Sequence, residues 1–188
     1  MALSDNELIV SAQSGDVSAF EQLVYRYDSM VLRIALSYTG DNDAAKDIYQ
    51  EVFIKVFRGI KNFQFRSEFS TWLFRITSNV CITYKKNDRK NISLSTFQND
   101  DDNEPINHIQ DDENNSPENQ MINQDVKEKV NKALNYLSPN QKMSFLLKHY
   151  EGYKIKEIAE IMNCKEGTIK KYLFEAVRKL RLQLADIN

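Results

Sequence analysis

The feature that most limits what this 188-residue chain can fold into is a strip near its middle, NISLSTFQNDDDNEPINHIQDDENNSPENQMINQD, running from Asn91 to Asp125. It carries nine acidic residues, no basic one, and few large apolar side chains for its length. Such a stretch cannot bury enough surface to offset the entropy of ordering it, so residues 91–124 read as a flexible linker. What remains is two small helical domains, 1–90 and 125–188, rather than one large one. Charge follows the same division. Met1–Lys90 is net +1, the strip −9 and Val126–Asn188 +6, within an overall net of −2. A basic second domain suits a polyanionic partner, while the strip reads as a solvated tether that keeps that domain from adhering elsewhere.

Both domains carry helical periodicity, and with only 5 Gly and 3 Pro the chain lacks the turn residues that a sandwich or barrel requires. The expected fold is all-α. In the first domain Asp16 is placed to cap a helix whose stripe is Phe20, Leu23, Val24, Tyr27, Val31, Ile34 and Tyr38. Asp41 or Asn42 can cap the next, with Ala45, Ile48, Val52 and Val56 on one face and a break at Gly59. Lys61–Ser70 has no period. A further helix then starts near Ser70, carries Leu73, Ile76, Val80 and Tyr84, and ends in Lys85-Lys86-Asn87-Asp88-Arg89-Lys90.

In the second domain Val126, Val130, Ala133, Leu134 and Leu137 form one stripe. Ser138-Pro139 restarts a helix that carries Phe145, Leu146 and Tyr150 to a stop at Gly152. Next come a short helix from Lys154, a turn at Cys164-Lys165-Glu166-Gly167, and a basic helix from Thr168 onward. This is the pattern of a helix-turn-helix: Ile155, Ile158 and Ala159 face inward on its first helix, with Ala159 small enough for a close crossing. Ile169, Leu173, Val177 and Leu180 seat the second, leaving Lys165, Thr168, Lys170, Lys171, Phe174 and Arg178 exposed. An exposed basic helix of this kind suits a DNA major groove lined with phosphates.

Other classes of function find little here. Cys81 and Cys164 are too far apart in sequence to read as a disulfide framework, which points to a reducing compartment. No apolar run approaches the roughly 18 residues of a membrane span, and MALSDNELIV lacks the marks of a signal peptide, so a cytoplasmic protein without membrane insertion is expected. His108 and His149 have no metal-spaced partners, and neither a Gly-rich phosphate loop nor a nucleophile motif is present. No metal, cofactor or catalysis by the chain itself is expected.

Several strings together carry a specific resemblance. Asp47-Ile48-Tyr49-Gln50-Glu51-Val52-Phe53-Ile54-Lys55-Val56-Phe57 and Phe69-Ser70-Thr71-Trp72-Leu73-Phe74-Arg75-Ile76 lie in the first domain. Leu137-Ser138-Pro139-Asn140-Gln141, Tyr150-Glu151-Gly152-Tyr153, Glu157-Ile158-Ala159 and Gly167-Thr168-Ile169-Lys170 lie in the second. In this order the chain resembles an extracytoplasmic-function (group 4) sigma factor of bacterial RNA polymerase, over about residues 5–90 and 118–184. The resemblance implies a region 2-like domain over 1–90 and a region 4-like domain over 125–188. It implies that Asp47, Gln50, Glu51 and Lys55 dock on the clamp of the polymerase's largest subunit, and that the flap of the second-largest subunit is a further contact. It implies that the aperiodic loop, through Asn62, Phe63, Phe65, Arg66 and Ser67, reads and opens the −10 promoter element, with Lys85, Lys86 and Arg89 on phosphates.

On the same footing Lys165, Thr168, Lys170, Lys171, Phe174 and Arg178 read the −35 element. Phe69 and Trp72 are assigned to the core. An anti-sigma factor, which members of the family often have, is a partner implied by resemblance alone. The chain departs from the family at Lys171 and Tyr172, where Arg is common, and at Glu175, where a basic residue is common. Because Lys lacks the bidentate fork of Arg, the −35 preference of other members does not transfer. Two rival readings are a regulator resembling a response-regulator output domain and a helical protein-binding adaptor that does not touch DNA. The first requires a strand–helix alternation that residues 1–90 lack, and the second is opposed by the basic second domain.

Overall fold

Short polar side chains start the helices where the sequence places them. A computed structural model of the chain describes the backbone of residues 3–95 and 132–185, and side chains over 3–86 and 132–183. Helix α1 (Asp5–Gln13) opens on a reciprocal box in which Ser4 Oγ accepts the Glu7 N–H and the Glu7 carboxylate accepts the Ser4 N–H. Helix α2 (Val17–Thr39) is capped by Asp16, whose carboxylate accepts from Ser18 N–H at 2.9 Å and Ala19 N–H at 3.2 Å. Asp41, not Asn42, caps α3 (Asn42–Gly59), accepting from Ala44 N–H at 2.7 Å. Gly40 lies between them at φ +74°, a left-handed conformation that side chains with a Cβ resist.

Helix α3 ends at Gly59, where a close approach leaves little room for a side chain: a Cβ there would sit 3.1 Å from the Trp72 indole. A 3-10 turn (Ile60–Asn62) and an irregular loop then lead to α4 (Phe69–Ser95). Leu23, Val31, Ile34, Tyr38, Ile48, Val52, Val56 and Leu73 are buried where α2, α3 and α4 meet. Each such side chain contributes about 1.5–3 kcal/mol by leaving water. Helix α4 is buried on more than its expected stripe. Ile76 and Tyr84 are only half-buried, whereas Phe74, Thr77, Ser78 and Cys81 are at most 1% exposed. The reason is that the second domain packs on α4.

That domain comprises a helical turn over 132–135, α5 (Pro139–His149), α6 (Ile155–Ile161) and α7 (Glu166–Ala185). Ser138 and Gln141 form the box that opens α5, with Pro139 in its first turn. Ala133, Leu134 and Leu137 are buried as the stripe requires; Val126 and Val130 lie outside the described residues. The α5 core face is Met143, Leu146 and Leu147, and Tyr150 is 52% exposed, a correction to the stripe expected there.

A second correction concerns the helix-turn-helix. Its turn is Met162–Lys165 and α7 starts at Glu166, so Gly167 is inside the helix. Asn163 supplies the left-handed residue (φ +49°), and Cys164 N–H closes the end of α6 on Ala159 O at 2.9 Å. The Ser144 hydroxyl donates to Met162 Sδ at 3.2 Å, fixing the turn to α5.

The two domains touch through a seam of polar and apolar contacts. Arg33 on α2 grips Glu151 with two hydrogen bonds, Nε to Oε1 at 3.0 Å and Nη2 to Oε2 at 2.5 Å. Arg75 on α4 donates to Glu160 O at 2.8 and 3.2 Å. The Phe74 and Tyr153 rings meet edge-on at 5.8 Å, and Tyr38 Oη donates to Pro139 O at 3.4 Å. Lys142, 4% exposed, donates to Asn135 Oδ1 at 3.2 Å with its ammonium 5.6 Å from the Tyr38 ring centre. Burial, aided by Glu151 and Glu157, pushes the Tyr153 phenol up to about 12.

Candidate polymerase- and nucleic-acid-binding surfaces

Three exposed surfaces carry the residues singled out from sequence. The first is the outer face of α3. Its core side is Ala45, Ile48, Val52, Phe53 and Val56, so spacing of three and four turns Asp47, Gln50 and Glu51 outward, all exposed. Lys55 is also exposed and pairs with Glu51 at 3.3 Å. Such an exposed i,i+4 pair contributes only about 0.3–0.5 kcal/mol, so it yields readily to a partner. The sequence reading missed Ile54 (50% exposed) and Phe57 (53% exposed) on the same side. Ile54 follows Asp47 by seven residues and Gln50 by four, which puts an apolar group amid the polar ones. The signal available was their place off the buried stripe.

The second surface is the loop after α3. Gln13 on α1 donates through Nε2 to Ile60 O and Phe63 O, both at 2.9 Å, and so anchors the entrance of the loop. Phe63, expected at the DNA surface, is instead 8% exposed, with its ring 5.1 Å from that of Trp72 and 6.1 Å from that of Phe69. It is a core residue, held there by the carbonyl anchor and the indole. Phe65 is the loop aromatic left outside, at 43% exposure and φ +55°, with its ring leaning on Phe63 at 5.1 Å. Asn62, Gln64 and Arg66 are exposed and Ser67 is half-buried. Phe69 is buried and Trp72 half-buried, both within the aromatic cluster under the loop. Lys85 is half-buried and Lys86 exposed, whereas the side chain of Arg89 lies outside the described residues.

The third surface is α7. Ile169, Ala176 and Leu180 are buried and Leu173 and Val177 half-buried, so the opposite side is open. Lys165, Lys170, Lys171 and Arg178 are exposed, Phe174 is 71% exposed, and Thr168 is half-buried. A phenyl ring so open among four cations forms an apolar spot on a basic helix. Glu175, half-buried on the flank of that side, accepts from Gln141 Nε2 at 2.6 Å, and Asn140 Nδ2 lies 3.4 Å from Tyr172 Oη, so α7 is tied to the start of α5.

Reactive groups are unremarkable. Burial pushes the Cys81 thiol up to about 12 and raises that of Cys164. The His149 ring leans on that of Phe145 at 4.5 Å, tilted by 35°, while His108 lies outside the described residues. Among the described residues no group of His, Cys, Asp or Glu is placed to hold a metal ion, and no helix is long and apolar enough to cross a membrane.

Known proteins resemble the chain along most of its length. Residues 23–91 match Sigma-70 region 2 and residues 127–180 match Sigma-70, region 4. The ECF RNA polymerase sigma-E factor of Haemophilus influenzae is 34% identical over 174 residues, covering 93% of this chain and 92% of that protein. The RNA polymerase sigma-H factor of Pseudomonas aeruginosa is 30% identical over 172 residues, covering 92% and 89%. Among solved structures, the sigma factor RpoE in complex with the anti-sigma factor NepR, from Bartonella quintana, matches with a TM-score of 0.65 at 25% identity, covering 88% of this chain and 96% of that one. CnrH in complex with the cytosolic domain of CnrY shares the fold, with a TM-score of 0.66 at 20% identity over 98% and 99% of the chains. The chain belongs to the sigma-70 family, as an RNA polymerase sigma factor of the ECF group.

Proposed function

We propose that the chain joins core RNA polymerase and directs it to promoters carrying matched −10 and −35 elements. Residues 1–90 dock on the polymerase and read and open the −10 element, 91–124 tether, and 125–188 read the −35 element. On α3 the polar groups of Asp47, Gln50, Glu51 and Lys55 meet the clamp of the largest subunit, with Ile54 as the apolar anchor in their midst. In the loop, Phe65 stacks on an extruded base while Asn62, Arg66 and Ser67 contact its edge or phosphates. Aromatic stacking is worth about 1–3 kcal/mol per base, comparable to the cost of unstacking one. Lys85, Lys86 and Arg89 neutralise flanking phosphates.

On α7, Lys170, Lys171, Phe174 and Arg178 enter the major groove, with Lys165 and Thr168 on the backbone at its start. The second domain also meets the flap of the second-largest subunit. The chain positions and opens DNA in the cytoplasm; it catalyses no bond change and needs no cofactor. A protein inhibitor of the anti-sigma type belongs to the same reading, since the Bartonella relative was captured with one.

What carries the proposal is the pairing of two exposed surfaces on separate domains, an aromatic loop at 62–67 and a basic α7 around Phe174. A response-regulator reading loses support because no strand occurs among the described residues of the first domain. The test is transcription in vitro with purified core polymerase. Defined start sites must appear with this chain and vanish without it; association with core but no defined start would overturn the proposal.

A further inference from the structure

Midway along α7, between Lys171 and Arg178, stands an acidic group whose placement is fixed from within the protein. Glu175 follows Lys171 by four residues and precedes Arg178 by three, so it lies one turn from each along the same flank. Its Oε2 accepts from Gln141 Nε2 at 2.6 Å. Gln141 is itself 5% exposed, and its Oε1 accepts the Ser138 N–H at 3.1 Å. Both ends of the amide are therefore committed. The reverse orientation would set an amide oxygen against a carboxylate and an NH₂ against a backbone N–H, so the hold has one sense only. One carboxylate oxygen is occupied, and the other remains an acceptor at the edge of the helix.

A carboxylate in that place has a narrow chemistry. It cannot bind phosphate, and in the major groove it can only accept. Guanine offers it O6 and N7, and thymine O4, all acceptors that repel it. Adenine offers N6–H₂ but sets the N7 acceptor beside it. Cytosine offers N4–H₂ with no neighbouring acceptor on that edge. We infer that Glu175, held in place by Gln141, is a specificity-determining residue of α7 that selects cytosine at one base of the −35 element and excludes guanine there. A basic side chain in that place would favour guanine instead, whose O6 and N7 both accept. Gln141 acts as a positioning residue. This inference rests on the assignment of α7 to DNA.

The test uses the complete chain assembled with core polymerase and a set of promoter duplexes in which each −35 base pair is varied in turn. One position should favour cytosine by about tenfold over guanine, which corresponds to 1.4 kcal/mol. Glu175→Ala should erase that preference and leave the other positions unchanged. Glu175→Gln keeps the shape and a bond to Gln141, and should move the preference toward adenine, which a Gln amide matches. Gln141→Ala should blur the same position without altering the salt dependence of binding. A Glu175→Ala protein that binds every sequence more weakly by one common factor overturns the inference and makes the residue a structural tie. If instead the unaltered chain shows no base dependence anywhere in the segment, and Lys170→Ala with Lys171→Ala leaves the salt slope untouched, the assignment of α7 to DNA fails as well.

Discussion

Replacing Arg33 with alanine removes one half of the ion pair that bridges the two domains and strands the other half. The Glu151 side chain is 3% exposed, whereas that of Arg33 is 58% exposed. Removing a partner from a fully buried pair costs about 3–5 kcal/mol, because a charge is left without compensation. A fully exposed pair is worth about 0.2–1 kcal/mol. With one end dry and the other wet, the loss should be about 1–2 kcal/mol, a factor of 5–30 in the equilibrium between touching and parted domains. Two measurements read this in a Cys164→Ser background. Small-angle scattering gives the radius of gyration, and thiol labelling gives the exposure of Cys81, a fully buried residue of α4, the helix on which the second domain packs. Arg33→Ala should enlarge the first and speed the second by 5–30-fold. Adding Glu151→Ala should recover part of the effect, since no carboxylate is then stranded. Equal behaviour of the single and double variants, or no change in either measurement, would refute the reasoning.

Three further outcomes are expected. Ser138→Ala removes the hydroxyl that accepts the Gln141 N–H and should cost about 1 kcal/mol, lowering the Tm of the second domain by roughly 4–8 °C in calorimetry. Lys170→Ala with Lys171→Ala should weaken promoter binding and reduce the slope of log affinity against log salt by about 1–2. Gln50→Ala with Glu51→Ala should impair capture of core polymerase, with Ile54→Ala adding to the loss and the circular dichroism spectrum unchanged; undiminished co-purification would remove the α3 face from the contact.

Local chemistry was legible from residue order, and long-range packing was not. Asp16 and Ser138 announce their helices because a capping side chain acts within three residues, whereas the choice of Asp41 over Asn42 came only with the structure. The buried stripes of α2 and α3 follow from a repeat of three and four. The fate of Phe63 and Phe65 was hidden, since it depends on Gln13, fifty residues away, and on the Trp72 indole. The start of α7 was misplaced because Asn163 and Gly167 both advertise a turn. The bond from Cys164 N–H to Ala159 O gives the left-handed residue to Asn163. Lys142 reads as a solvated lysine and is buried, because a seam between segments a hundred residues apart covers it. Ile54 was passed over since an apolar residue within a helix is ordinarily counted as core.

The seam at Arg33, Tyr38, Phe74 and Arg75 also sets a condition of length. Elements whose names place them about 25 base pairs apart are separated by about 85 Å at 3.4 Å per step. Domains pressed against each other cannot straddle that interval. The stretch between 95 and 132, at no more than about 3.6 Å per residue, reaches roughly 130 Å when drawn out. Engagement of both elements at once therefore requires Glu151 to release Arg33 and the phenyl and phenol rings to separate, exposing Lys142 and Cys81 to water. The polymerase must supply the work of that rupture, and a promoter offering only one of the two elements can be met without it.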